Sequence, residues 1–274
     1  MSLKTYAKVL TIAGSDSSGG AGIQADIKTI SANGCYAETA ITALTAQNTK
    51  GVWDIFPIPI DFVAQQINVV LSDLGADAVK IGMLYSSSLI ETVAAELRRF
   101  NSSNIVVDPV MIAQSGDSLL EQTAIDTLKK ELFPLADLIT PNIPEAEALL
   151  KTSIQTEKEI EMAAFELAKM GAKNVLIKGG HLEKAESNDL LYVAKENAFY
   201  WYTAPRHETQ NNHGTGCTLS SAIASHLALG KTMPNAIALA KKYVTAAINE
   251  GSSYKIGNGN GPVHHFSMFW GQLS

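Results

Sequence analysis

Apolar runs alternate with amphipathic stretches along almost the whole chain. Residues 8–14, Lys-Val-Leu-Thr-Ile-Ala-Gly, read as a buried strand. Residues 21–33 follow as a helix, with Ile23, Ile27 and Ile30 spaced for one face. Residues 39–46 form a second strand candidate, and 52–58 a short strand or hairpin arm interrupted by Pro57 and Pro59. The alternation continues with a helix over 62–74, a strand over 78–81, a helix over 88–100 and a strand over 104–108 that stops at Pro109. Next come a helix over 122–132, a strand over 138–140, helices over 145–150 and 157–170, and a strand over 174–178. The rhythm then changes. Residues 190–193 and 199–203 pair as a β-hairpin around Lys195-Glu196-Asn197, and helices over 216–229 and 234–249 close the pattern. Such alternation predicts an α/β fold: a mainly parallel central sheet flanked by helices on both faces, with a small β-hairpin near the C-terminal third. No low-complexity linker or fixed-period repeat interrupts it, so residues 1–274 read as a single domain.

In sheets of this kind, ligands sit beyond the C-terminal ends of the strands. The polar clusters of this chain fall there: Gly14 to Gly20, Gln47-Asn48-Thr49, Gly82-Met83-Leu84, Asp108-Pro109-Val110-Met111, Pro141 to Glu145, and Gly179-Gly180-His181. One further cluster, Asn212-His213-Gly214-Thr215-Gly216-Cys217-Thr218, runs straight into a small-residue helix. Glycines ahead of a helix let backbone N–H groups converge on an anion, and the helix dipole favours negative charge there. The same pattern also suits a helix cap made by Thr215 or Thr218.

Composition narrows the field. With 46% hydrophobic residues the chain can bury a full core. Its net charge of −6 argues against a broad basic face for nucleic acid or a membrane surface, so polyphosphate would need local donors and a divalent cation. No apolar run approaches the ~20 residues of a membrane span, and no signal-peptide pattern is present. A cytoplasmic protein is expected, with Cys35 and Cys217 as reduced thiols. His213, His264 and His265 lack zinc-type spacing.

Several residues could carry chemistry. The loop over 14–22 is Gly-rich but matches neither a dinucleotide fingerprint nor a Walker loop. Asp26 lies one helical turn beyond Gly22 and could face back over the site, although its spacing fits a solvent-facing helix position better. Gln47 and Asn48 offer amides suited to the edge of a nitrogen heterocycle, or to a local turn. Asp108 and Glu145 could hold Mg²⁺, which takes few protein carboxylates, while Glu145 also suits a helix N-terminus. Asn142 could donate to phosphate or cap that helix. Lys178 ends an apolar strand, where a charge needs an anion, either a phosphate or a structural carboxylate. Cys217 is either a small pocket-lining side chain or a thiol whose pKa the helix N-terminus lowers, able to act as a base. Cys35 is expected only to pack.

Taken together, these segments resemble, over nearly the whole length, the hydroxymethylpyrimidine/phosphomethylpyrimidine kinases of thiamine biosynthesis, in the ribokinase-like superfamily. The matching stretches are 10–26, 46–49, 80–84, 108–111, 139–146, 178–181, 213–218 and Gly261-Pro262-Val263-His264-His265-Phe266. The resemblance implies transfer of the γ-phosphoryl of ATP to 4-amino-5-hydroxymethyl-2-methylpyrimidine, and then a second transfer giving the diphosphate. It implies that Gly14, Asp26, Gln47 and Met83 surround the pyrimidine, and that Asn142, Glu145 and Lys178 serve the nucleotide phosphates and Mg²⁺. Gly214, Thr215, Gly216 and Cys217 would form the anion hole, with the Cys at the phosphoryl acceptor. Sugar kinases of this superfamily carry Asp where Cys217 stands, and a thiol is the weaker base. A homodimer is also implied, as is use of the whole chain by one kinase activity. A related pyridoxal/pyridoxine/pyridoxamine kinase is the nearest alternative, against which the Gln47-Asn48 pair favours the aminopyrimidine. A non-catalytic pyrimidine-phosphate binding module is the other, against which Lys178, Asn142, Glu145 and Cys217 argue. Residues 209–213 and the stretch after His181 are candidates for closing over substrates.

Overall fold

Every internal strand of a parallel sheet is covered on both faces, which is why these strands are continuous apolar runs. The computed structural model describes residues 3–111, 122–179 and 186–270. Gly180, His181 and the stretch after His181 lie outside the described residues. The strands are β1 (Lys8–Asp16), β2 (Tyr36–Asn48), β3 (Gly51–Pro57), β4 (Ala78–Ile81), β5 (Ile105–Val107), β6 (Leu138–Ile139), β7 (Asn174–Ile177), β8 (Glu186–Val193) and β9 (Ala198–Pro205). They form one sheet in the order β3-β2-β1-β4-β5-β6-β7-β8-β9. From β2 to β7 neighbouring strands are parallel, whereas β3, β8 and β9 join antiparallel at the two edges.

The helices are α1 (Gly22–Ala32), α2 (Ile60–Asp73), α3 (Ser87–Arg99), α4 (Gln122–Thr127), α5 (Ile143–Leu150), α6 (Glu157–Ala168), α7 (Thr215–Ala228), α8 (Met233–Gly251) and α9 (Ser267–Trp270). Alternate strand residues send their side chains to opposite faces, and each face carries its own core. Leu10, Ile12, Ile81 and Val107 pack with Ile67, Leu89, Leu149 and Ile160 of the α2, α3, α5 and α6 layer. Val9, Val106 and Leu176 pack with Ile30, Ile223 and Tyr243 of α1, α7 and α8. Cys35 packs in this second core, as expected.

Four sequence-based expectations change. α1 is rotated: Ile23, Asp26, Thr29 and Ile30 are buried, while Ile27 is 38% exposed. The carboxylate displaces the isoleucine from the inner face because buried partners await it. The helix expected over 122–132 is α-helical only to Thr127, and Leu128–Leu132 forms a π-helical turn. β3 runs through to Pro57, since an edge strand tolerates the missing N–H. β2 extends beyond Ala46 to Asn48, so Gln47 sits past the end of the β1 pairing while still paired with β3.

Candidate active site

The polar strand exits line one cavity of about 1490 Å³ along the C-terminal edge of the sheet. At its centre lies the N-terminus of α7. Gly214 is the N-cap, with φ of 80°. A Cβ there would overlap the Gly20 carbonyl oxygen, so the two loops meet backbone to backbone. No side chain caps this helix end: Thr215 Oγ1 donates to Asn212 O at 2.6 Å and Thr218 Oγ1 to Gly214 O at 2.8 Å, so neither threonine makes the cap its position suggested. The N–H groups of Gly216 and Cys217, in the first turn, precede any intrahelical acceptor and face out of the helix end.

Beside this helix end stands a charge cluster assembled by three strand exits. An isolated bridge between Asn142 and Lys178 prolongs the β6–β7 pairing and brings these two residues together. Lys178 Nζ lies 2.7 Å from Asp108 Oδ1 and 3.8 Å from Glu145 Oε2. A Cβ on Gly216 would lie 3.4 Å from Asp108 Oδ2 and 3.5 Å from Lys178 Nζ, so the helix end faces both charges. Burial disfavours the Lys178 ammonium, but Asp108 and Glu145 outweigh it and raise its pKa to about 12. Burial likewise opposes the Asp108 carboxylate, which Lys178 and Lys80 nevertheless hold below its ordinary range, with Thr140 Oγ1 donating to it at 3.1 Å. Glu145 behaves differently. Burial is its largest influence and raises its pKa to about 7, despite Lys178.

Asn142 and Glu145 do cap α5, reciprocally. Asn142 N–H donates to Glu145 Oε2 at 2.7 Å, and Glu145 N–H to Asn142 Oδ1 at 2.8 Å. Glu145 is thus anchored through one oxygen, and Asn142 keeps its amide N–H groups for the cavity that both residues line.

Left of this centre, as the sheet is ordered above, Gly14, Gln47 and Met83 line the cavity. A Cβ on Gly14 would lie 2.7 Å from Met83 Cε, so the glycine leaves a narrow slot beside the methionine. Asp16 organises the loop after β1: it accepts from Ser18 N, Gly20 N and Ala21 N, and His213 Nε2 lies 2.8 Å from its Oδ2. Burial raises its pKa, but the His213, Ser18 and Ala21 hydrogen bonds overcome this and bring it to about 2. An ionised carboxylate can only accept, so His213 Nε2 carries the proton. The Gln47 amide lies 3.5 Å from that committed nitrogen, which leaves its own N–H groups for a ligand. Asn48 takes the turn role instead, its Oδ1 accepting from Lys50 N at 2.8 Å. On the other side the cavity runs past the apolar Ala204, Pro205, Leu219, Val244 and Ile248, with the Lys241–Asp189 ion pair and Arg206 beside them, a mixed wall whose apolar part suits a planar base.

Asp26 does not line the cavity. It is completely buried beneath it, paired with the equally buried Lys80 at 2.8 Å. Thr11 Oγ1 and Ser221 Oγ also donate to Asp26, at 2.6 and 2.7 Å. Its carboxylate therefore reaches the site through Lys80, a fully buried residue at the cavity floor. Burial lowers the Lys80 pKa, but Asp26, with Cys217 and Asp108, raises it above the ordinary lysine value. Lys80 was legible by the argument used for Lys178: a cation inside an apolar strand needs an anion. Asp16 had a signal too, as an Asp leading a Ser/Gly loop.

Cys217 corrects the expectation of a lowered pKa. Burial raises it to about 11; Lys80 works against this, and Asp26 and Asp108 reinforce it. The thiol is protonated at neutral pH, because Lys80 and a hydrogen bond from the Gly22 backbone do not make up for the lost hydration.

Among the described residues no group of three or more His, Cys, Asp or Glu is set to hold a metal ion, and no helix is long and apolar enough to cross a membrane. Both cysteines are free. A family model described as phosphomethylpyrimidine kinase matches residues 16–264. The thiamine biosynthesis bifunctional protein ThiED of Geobacter sulfurreducens is 50% identical over 94% of this chain, which spans about half (52%) of that protein's length. A hydroxymethylpyrimidine/phosphomethylpyrimidine kinase of Salmonella typhimurium is 48% identical, covering 95% of this chain and 98% of its own. Among solved structures, an ADP complex of Bacillus subtilis pyridoxal kinase superposes with a TM-score of 0.89 at 36% identity, covering 96% of this chain and 99% of that one.

Proposed function

This chain belongs to the phosphomethylpyrimidine kinase family, with a ribokinase-like fold and a kinase activity, and we propose that it phosphorylates 4-amino-5-hydroxymethyl-2-methylpyrimidine and then the monophosphate, using ATP, in thiamine biosynthesis. One observation carries the reading. The α7 N-terminus, Lys178 and two carboxylates meet midway between a slot lined by Gln47 and Met83 and a slot lined by Leu219, Val244 and Ile248. Two planar molecules placed in those slots would meet at an anion-binding centre.

In the first transfer the hydroxymethyl oxygen bonds to the γ-phosphorus of ATP. The bond to the β–γ bridging oxygen breaks, ADP leaves with the electron pair, and the hydroxyl proton passes to an oxygen of the transferred phosphoryl group. The Gly216 and Cys217 N–H groups and Lys178 bind the phosphoryl oxygens, so positioning and charge neutralisation carry the rate. Asn142 donates to the nucleotide phosphates, and Gln47 reads the amine and ring nitrogen of the pyrimidine. In the second transfer the acceptor is a phosphate oxygen, largely deprotonated above pH of about 6. No base is needed there, which suits a protonated Cys217 that lines the acceptor site.

The carboxylates fit Mg²⁺. Two of them, both buried, converge on a single lysine, Lys178. Asp108 and Glu145 would hold the ion through its waters, where it would neutralise the β- and γ-phosphates.

A substrate panel with ATP, read by product mass, tests the substrate. Monophosphate followed by diphosphate of the pyrimidine is expected; equal or better turnover of pyridoxal would overturn the choice. Pyridoxal remains the second reading, favoured by the TM-score of 0.89 to a pyridoxal kinase. We further propose a cytoplasmic homodimer. The edge strand β3 exposes Trp53, Ile55 and Phe56, and Phe62 lies exposed at the start of α2, an apolar area that a second copy would cover. Sedimentation at micromolar concentration should give twice the chain mass, and a monomer there would exclude the dimer.

A further inference from the structure

Beyond α8 the chain carries glycine at every second position, Gly257-Asn258-Gly259-Asn260-Gly261, and then Pro262. The phosphoryl-transfer chemistry above makes no use of this segment, yet its backbone touches both walls of the pyrimidine slot. At one end Gly259 N–H donates to Thr49 Oγ1 at 3.2 Å, and Asn260 N–H to Thr49 O at 2.8 Å. Thr49 is the tip of the β2–β3 hairpin, two residues beyond Gln47. At the other end His213 N–H donates to Gly261 O at 3.0 Å, and Val263 N–H to His213 O at 3.3 Å. His213 immediately precedes the N-cap of α7 and holds Asp16 of the opposite loop.

These approaches are close enough to demand glycine. A Cβ on Gly259 would overlap Thr49 O, and one on Gly261 would overlap Asn211 Oδ1. Asn211 is itself anchored, its Nδ2 donating to Gly251 O at 2.8 Å and to Tyr254 O at 2.6 Å. The segment is therefore fixed to the end of α8 as well as to both walls. The hairpin it ties down is an edge element with an exposed outer strand, where local opening costs least. Gln47 also sits at a register shift between β2 and β3, so its direction depends on how the tip is held.

We propose that residues 259–263 act as a positioning strut for the acceptor. They fix the distance between Gln47, which reads the ring edge, and the anion hole that receives the phosphoryl group, so that the two walls of the slot are preorganised as one unit. This rests on the site being a pyrimidine kinase site.

The test separates acceptor from nucleotide. KM for the pyrimidine and for ATP is measured for Thr49→Val, Thr49→Ser and Gly259→Ala, each alone and combined with Gln47→Ala. Thr49→Val should raise the pyrimidine KM about fivefold, the size of one net hydrogen bond, with the ATP KM unchanged. Thr49→Ser should restore the pyrimidine KM. Thr49→Val on top of Gln47→Ala should cost little more, because both act through one contact. Equal rises in both KM values, full additivity with Gln47→Ala, or unchanged pyrimidine KM in Thr49→Val would each overturn the strut. Thr49→Val decides the matter if Gly259→Ala fails to fold. Turnover by the unsubstituted enzyme is measured first. If it phosphorylates only pyridoxal, the substrate reading fails and the same split on pyridoxal, with Thr49→Val and Thr49→Ser, tests the strut by itself.

Discussion

Cys217 shows how one side chain can be read correctly for place and wrongly for state. Its position at the first turn of α7 is legible from the glycines before it, but its protonation depends on burial that no local pattern reveals. With the pKa pushed up to about 11, its thiolate is scarce at neutral pH. A thiolate base would make kcat rise about tenfold per pH unit between pH 7 and 9. We expect a nearly flat kcat over that range for the first phosphorylation, measured with saturating substrates. A tenfold climb per unit, lost in Cys217→Ser, would return the residue to a base. Asp26 carries the same lesson: spacing favours a solvent-facing carboxylate, whereas Lys80, from a strand 54 positions away, draws it fully inside. Long-range ion pairs leave no trace in helical periodicity.

Elements were more legible than residues. Strand–helix alternation and apolar run length locate the sheet, and the Gly-rich exits mark its functional edge. What alternation cannot show is pairing between strands that no short turn joins: the hairpin of β8 and β9 is legible, but its antiparallel docking on β7 depends on which edge is open once the parallel strands have joined. The α7 N-terminus is the element on which activity should turn most sharply. A Cβ at Gly214 would collide with the Gly20 carbonyl and would also have to occupy the left-handed region at φ of 80°. Gly214→Ala must therefore shift the first turn away from Lys178 and Asp108. Loss of one aligned N–H donor in an anion hole costs on the order of 10²–10³ in kcat. We expect a fall of that size with a modest change in pyrimidine affinity, checked by steady-state kinetics and by direct calorimetric binding of the pyrimidine. Unchanged kcat would remove the helix end from the reaction.

At the scale of the whole molecule, one sheet separates two cores, and the site occupies only its C-terminal edge. The opposite end of the sheet holds a feature unrelated to catalysis. Glu38 on β2 is buried, and neither of its carboxylate oxygens has a hydrogen-bond partner. Burial is the main cause and outweighs the opposing pull of Lys8, with Asp77 adding a smaller push, so its pKa rises from 4.5 to about 7. The folded protein thus holds a proton here that the unfolded chain has released above pH 4.5. Folded-state proton uptake makes stability fall as pH rises. The contribution is complete below the unfolded pKa and is lost as pH climbs through about 7, by roughly 3 kcal/mol in all. Glu38→Gln cannot ionise and should escape that loss. Urea unfolding at pH 5 and pH 8 should therefore show a smaller drop in stability for Glu38→Gln than for the unsubstituted protein. Glu145, raised in the same direction, is present in both proteins and cancels in the comparison. Equal drops would mean that the Glu38 carboxyl finds a partner or water in solution and ionises normally.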